Sequence, residues 1–190
     1  MILSDRDIKK AIKDGRIRFM PKLSNDQIGP ASVDLKLDDK FKIFKQGKYL
    51  HLDVKEGIPL EFMEDVIIKK DEAFILHPGT FALASTKEYF YLPDDITVKV
   101  EGKSTLARMG ILVHTAGFVD PGFEGTITLE LSNQANLPIA IYPDMYICQI
   151  DFHTMSSPAE VPYGKRKKSL YSKSVGPKNA DTKNLFEKKK

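Results

Sequence analysis

Thr126-Ile127-Thr128-Leu129-Glu130-Leu131 places its apolar residues at 127, 129 and 131 and its polar ones at 126, 128 and 130. That period of two belongs to a strand with one face in a core and the other toward solvent or a cleft. The same habit recurs at Val33, Leu35 and Leu37, at Phe41 and Ile43, and at Phe74 and Leu76. It continues through Phe81-Ala-Leu-Ala-Ser85, Ile96-Thr-Val-Lys-Val100, Ile139-Ala-Ile141 and Tyr146-Ile-Cys-Gln-Ile-Asp-Phe152. Turn signals such as His77-Pro78-Gly79 separate the runs. Many short strands broken by Gly and Pro predict a mainly β domain, built as a sandwich, a jelly roll or a distorted barrel.

Three segments depart from this rhythm. Near the start, Ser4 followed by Asp7 resembles a capping box, and Ile8, Ala11 and Ile12 share one helical face before Gly15, which predicts a short amphipathic helix. Ser104-Thr-Leu-Ala-Arg-Met109 has good helix formers behind a Gly and a candidate Ser cap, enough for one or two turns. From Gly164 onward large apolar residues are few, apart from Leu170, Tyr171, Leu185 and Phe186. The expected organisation is one catalytic β domain over residues 1–163 and a partly flexible arm or lid over 164–190.

At 190 residues the chain is long enough to bury a core without disulfides or a structural metal. The single cysteine, Cys148, reads as a small core residue. Met1-Ile-Leu is followed at once by Ser4-Asp-Arg-Asp7, and no run approaches membrane-spanning length, so a cytoplasmic location is expected. The net charge of +3 hides an asymmetry: ten Lys or Arg against two acids from Gly164 on, a charge of +8, and −5 in the remainder. No aromatic residues alternate with the basic ones to stack bases, so nucleic acid is an unfavoured partner and a phosphate ligand stays open.

Glu101-Gly102-Lys103-Ser104-Thr105 invites comparison with a P-loop, which fails because the first glycine would fall at Thr97, inside a strand. What survives is a backbone turn, two hydroxyls, Lys103, and Arg108 one turn later, suited either to phosphate or to solvent. Glu130 projects from the polar face of its strand. If that face lines a cleft, it can transfer protons, with its pKa set by burial and a cation such as Arg108. His51, His77, His114 and His153 are widely spaced and form no zinc pattern, and no Gly-x-Ser-x-Gly elbow appears.

Read in order, these segments resemble the dCTP deaminases, relatives of the trimeric dUTPases. The landmarks are Met1-Ile-Leu-Ser-Asp-Arg-Asp-Ile8, Gly29-Pro-Ala-Ser-Val-Asp-Leu-Lys-Leu37, Leu76-His-Pro-Gly79 and Leu92-Pro-Asp94. Glu101-Gly-Lys-Ser-Thr-Leu-Ala-Arg108, Thr115-Ala-Gly-Phe-Val-Asp-Pro-Gly-Phe123 and Ile127-Thr-Leu-Glu-Leu-Ser-Asn133 follow in the family's order. The resemblance implies a dUTPase-type distorted β-barrel, assembled as a homotrimer with active sites between subunits and the arm closing over bound nucleotide. It assigns Lys103, Ser104, Thr105, Leu106, Ala107 and Arg108 to the triphosphate, Asp120 to the deoxyribose 3′-hydroxyl, and Thr128, Leu129 and Glu130 to the cytosine edge. Glu130 takes the role of general acid/base, Ser104 and Arg108 help place the water and the carboxylate, and Gln149, Tyr163 and Lys168 match positions that touch nucleotide. Mg²⁺ is expected to arrive on the triphosphate, with no zinc.

Two departures and one choice accompany the resemblance. Relatives carry Lys-Tyr-x-x-Gln in the arm, whereas Lys168-Ser169-Leu170-Tyr171-Ser172 puts Ser169 and Ser172 in place of the Tyr and Gln, with Tyr171 as a substitute after a shift of register. The loop between Gly110 and Asp120 is one residue shorter than in some members. Gly117 and Phe118 resemble members that make dUMP, since a missing side chain at Gly117 leaves room for a second water near the α-phosphate. The leading expectation is dCTP deamination coupled to cleavage, giving dUMP for dTMP synthesis, pyrophosphate and ammonia. A deaminase releasing dUTP, a dUTPase alone, and a non-catalytic nucleotide- or nucleic-acid-binding paralogue follow in that order.

Overall fold

The computed structural model describes residues 1–45, 47, 51–114, 117–183, 185 and 186, with backbone alone at Leu60. Helix α1 (Asp5–Lys13) is followed by strands β1 (Arg18–Met20), β2 (Val33–Lys36), β3 (Lys40–Phe44), β4 (Met63–Ile67), β5 (Phe74–Leu76), β6 (Phe81–Ser85), β7 (Tyr89–Tyr91) and β8 (Ile96–Gly102). After helix α2 (Ser104–Arg108) come β9 (Ile111–His114), β10 (Phe118–Val119), β11 (Glu124–Gly125), β12 (Thr128–Asn133), β13 (Ile139–Ile141) and β14 (Tyr146–Thr154). The mainly β class and the N-terminal helix are as the sequence predicts.

The strands pair antiparallel in four sheets, ordered β4-β3-β6-β12-β9, β10-β8-β14-β2, β1-β7-β11 and β13-β5. The distorted barrel therefore takes the form of open sheets, none of which closes on itself among the described residues. Their inward faces share one core. Leu129 and Leu131 of β12, Leu35 of β2, Phe152 of β14 and Ile8 of α1 are all fully buried, and Phe41 stacks on Phe74 at 4.2 Å between ring centroids. Cys148 lies in this core, where burial pushes its thiol far above the usual range and leaves it inert.

Both helix starts differ from the sequence reading. The Ser4 hydroxyl donates to the Asp7 carboxylate at 3.4 Å and makes no bond to a backbone amide, so the capping box is not formed. At α2 the cap position belongs to Lys103, and Ser104 is already the first helical residue. The strand expected from Thr126 begins at Thr128, because Thr126 and Ile127 are engaged elsewhere. Thr126 N–H donates to Ser174 O at 2.9 Å, and Ile127 N–H donates to Thr86 Oγ1 at 3.0 Å. The first of these bonds belongs to the arm, which lies along the domain beside β11 and forms a parallel bridge between Gly125 and Ser174.

Candidate active site

Strand β12 is flanked on both sides, so the direction of each of its side chains is fixed. Leu129 and Leu131 enter the core, and Thr128, Glu130 and Ser132 take the other face. Glu130 stands opposite Leu83 of β6 and His114 of β9. Its side chain is half-buried, and Oε2 is buried with no hydrogen-bond partner among the described residues. Burial pushes the carboxyl above the usual glutamate range, partly offset by a hydrogen bond from its own backbone. Desolvation without a partner among the described residues disfavours the ionised form, so this carboxyl holds its proton to higher pH than a solvated glutamate. Arg108, proposed from the sequence as the tuning cation, is not the cause; burial is.

Glu130 opens into a cavity of about 650 Å³. Asp120, Thr128, Gly117, Phe118 and Tyr163 line it as well, so five further sequence-assigned residues converge with Glu130. Asp120 begins a turn that Phe123 N–H closes on Asp120 O at 3.2 Å. Gly122 in that turn has φ +76°, and a Cβ there would meet Pro162 Cβ at 2.5 Å, so glycine is required for the chain near Tyr163 to pack so closely. Tyr163 N–H then donates to Pro121 O at 2.8 Å, and the ring stands 5.9 Å from that of Phe123. Gly117 has φ +74°, so its glycine meets a backbone demand in addition to leaving space. Thr115 and Ala116, part of the same landmark, lie outside the described residues.

The expected triphosphate residues lie elsewhere. None of Lys103, Ser104, Thr105, Leu106, Ala107 and Arg108 lines the cavity. Leu106 is buried and pins α2, while Ser104, Thr105, Ala107 and Arg108 are exposed. Lys103 Nζ donates to both carboxylate oxygens of Asp34 at 2.7 Å. Asp34 is held by its strand, where Gln27 Nε2 donates to Asp34 O at 2.9 Å and to Glu88 Oε1 at 2.8 Å. Gln149 stands opposite both Asp34 and Glu101 in the four-stranded sheet, so it belongs with this cradle and not with the cavity. Leu129 can offer the cavity only backbone, since its side chain is fully buried.

The arm brings other residues to the cavity than those assigned from the sequence. Lys168, Ser169 and Ser172 do not line the cavity, whereas Tyr171 and Ser174 do. Tyr171 and Ser174 are three residues apart, the spacing of Tyr-x-x-Gln, so the tyrosine named from the sequence as a substitute is the one at the cavity. A 3₁₀ turn spans Tyr163–Lys165, and the Ser169 hydroxyl beyond it donates to Tyr163 O. Tyr171 N–H then donates to Tyr163 Oη at 3.1 Å. Lys178, also in the cavity wall, carries no motif that would have revealed it.

A family model described as dCTP deaminase-like matches residues 2–155. This chain belongs to the dCTP deaminase-like family. Among curated relatives of the family, the "dCTP deaminase, dUMP-forming" of Methanobrevibacter smithii is 46% identical over 100% of this chain and 99% of its own length. That of Methanosphaera stadtmanae is 48% identical over 98% and 96%, and that of Corynebacterium jeikeium 51% over 86% and 87%. Among solved structures, the 2′-deoxycytidine 5′-triphosphate deaminase of Agrobacterium tumefaciens superposes with a TM-score of 0.63 at 23% identity, over 80% of this chain and 47% of that one. The chain thus spans about half the length of that solved chain and shares its fold.

The raised Glu130 pKa has a consequence for stability. Below its ordinary value of 4.5 the carboxyl is protonated in the folded and unfolded states alike. As pH rises past that value the unfolded chain ionises first, so wild-type stability falls until the higher folded-state pKa is passed. Glu130→Gln is expected to melt above the wild type at pH 7, with the gap closing as pH falls toward 4.5; a gap independent of pH contradicts a burial-raised pKa.

Proposed function

We propose that this protein deaminates dCTP at cytosine C4 and cleaves the resulting dUTP to dUMP and pyrophosphate. The observation that carries the first step is the buried Oε2 of Glu130, without a partner among the described residues, in a cavity shared with Asp120. With Asp120 on the 3′-hydroxyl and Thr128 at the base edge, C4 comes to Glu130. The carboxylate takes a proton from water as the oxygen bonds to C4 and passes it to N3. The water's second proton reaches the amino group by the same carboxyl, the C4–N bond breaks, and ammonia leaves. One carboxyl with a raised pKa serves both transfers. In the second step a water attacks the α-phosphorus, and the bond to the β-phosphate oxygen breaks. Gly117, with no side chain, leaves room for that water at the cavity wall, and the dUMP-forming names of the relatives support this step.

The substrate is the Mg²⁺ complex of the triphosphate. Lys103, Ser104, Thr105 and Arg108 are cationic and hydroxylic, a donor set for phosphate oxygens and not for a metal, so the ion stays on the phosphates and neutralises part of their charge. These residues are outside the cavity that holds Glu130, which supports a homotrimer in which α2 of one subunit completes the cavity of the next. The reaction belongs in the cytoplasm, where dUMP serves dTMP synthesis. Among the described residues no helix is long and apolar enough to cross a membrane.

Incubation of the purified protein with Mg²⁺ and dCTP is expected to yield ammonia, dUMP and pyrophosphate without accumulation of dUTP. Glu130→Gln should lower ammonia release by about 10²–10⁴-fold while dCTP still binds. Accumulating dUTP would leave a deaminase only; cleavage of dUTP without ammonia from dCTP would leave a dUTPase. Subunit sharing has its own test. Glu130→Gln and Ser104→Ala proteins, each inactive, should recover roughly a quarter of wild-type activity when unfolded and refolded together, because mixed trimers reassemble intact sites. No recovery, with mixed trimers present, would place both residues of a site on one chain.

A further inference from the structure

The arm is latched to the strand face that carries Glu130 by bonds that do not depend on its own side chains. Thr126 N–H donates to Ser174 O at 2.9 Å, Gly176 N–H donates to Thr126 Oγ1 at 3.1 Å, and Lys178 N–H donates to Thr128 Oγ1 at 3.2 Å. Lys173 N–H donates to Glu124 O at 2.6 Å, and Asp181 N–H donates to Tyr171 Oη at 2.9 Å, which closes the arm on itself. The latch carries Lys178 to the cavity, where it is the one Lys or Arg among the described lining residues. Two carboxyls, Asp120 and Glu130, line the same space.

A nucleoside triphosphate stays anionic even with Mg²⁺ neutralising part of its charge, so a cavity whose described acids are Asp120 and Glu130 disfavours its polyphosphate unless a cation stands near. Lys178 is an exposed residue of the cavity lining, whereas Oε2 of Glu130 is buried. An ammonium on a flexible stem is a strongly hydrated point charge, matched to a solvent-facing phosphate better than to a base edge. We propose that Lys178 is a substrate-binding residue whose ammonium receives the polyphosphate of the nucleotide at the cavity mouth, delivered there by the arm's latch on the Thr126 and Thr128 hydroxyls. It binds the anion and moves no proton. This rests on the reading of a nucleoside triphosphate as substrate.

Lys178→Gln keeps the backbone amide that bonds Thr128 and removes only the charge; Lys178→Arg keeps the charge. In the full-length protein Lys178→Gln is expected to raise KM for dCTP about tenfold with kcat nearly unchanged, and to flatten the rise of KM with added KCl. Lys178→Arg should stay near wild type. Binding of inorganic tripolyphosphate, which has no base to deaminate, separates this proposal from the reaction itself, and by calorimetry it should weaken about tenfold in Lys178→Gln. An unchanged KM and tripolyphosphate affinity in Lys178→Gln would overturn the proposal, as would a loss in Lys178→Arg equal to that in Lys178→Gln. Tripolyphosphate binding that depends on Lys178, with no ammonia from dCTP, would uphold it and overturn the proposed reaction.

Discussion

A strand with hydrogen-bonded neighbours on both edges has only two directions for its side chains, and β12 uses them for opposite purposes. Leu129 and Leu131 are fully buried in the core. Those contacts fix the register, since a slip of one residue would send Glu130 into the core and the leucines into the cleft. The carboxyl is therefore held in a desolvated place by apolar packing on the far side of the sheet. Its elevated pKa follows from that burial, with no cation needed to set it.

The same constraint divides the labour of the site. The cavity holds Glu130, Asp120 and a wall of aromatic rings, and these carboxyls oppose a polyphosphate. Lys103 and Arg108 stand at the two ends of α2, with Lys103 paired to Asp34. Within one chain neither Lys103 nor Arg108 lines the cavity of Glu130. The proposed association of copies would close that gap, and the arm adds Tyr171 and Lys178 to the cavity lining.

Much of this was legible in the sequence because it rests on local pattern. The alternation through Thr126–Leu131 gives the strand and the face of Glu130 directly, and the Gly and Pro turns give the β class. The order of motifs gives the family. Other features depend on distant partners and leave no such trace. β10 and β11 have two residues each and are defined only by the strands they join, Phe118 against Lys99 and Gly125 against Phe90. The Ser4 cap is displaced by its bond to Asp7, a competition between side chain and backbone that spacing does not decide. In the arm, matching by residue type selects Lys168 and Ser172, whereas the residues that line the cavity are Tyr171 and Ser174. Lys178 belongs to no motif, and only the bond of its backbone amide to Thr128 brings it in.

The claim on which the rest depends is that Glu130 waits in the free protein with a burial-raised pKa. A ¹³C NMR titration of glutamate side-chain carboxyl carbons, with the Glu130 signal assigned by its loss in Glu130→Gln, reads that value directly. A midpoint clearly above the ordinary glutamate value of 4.5 is expected. A midpoint at or below that value would mean that Glu130 is solvated or paired in the resting enzyme, and would contradict its role as a proton carrier prepared by burial.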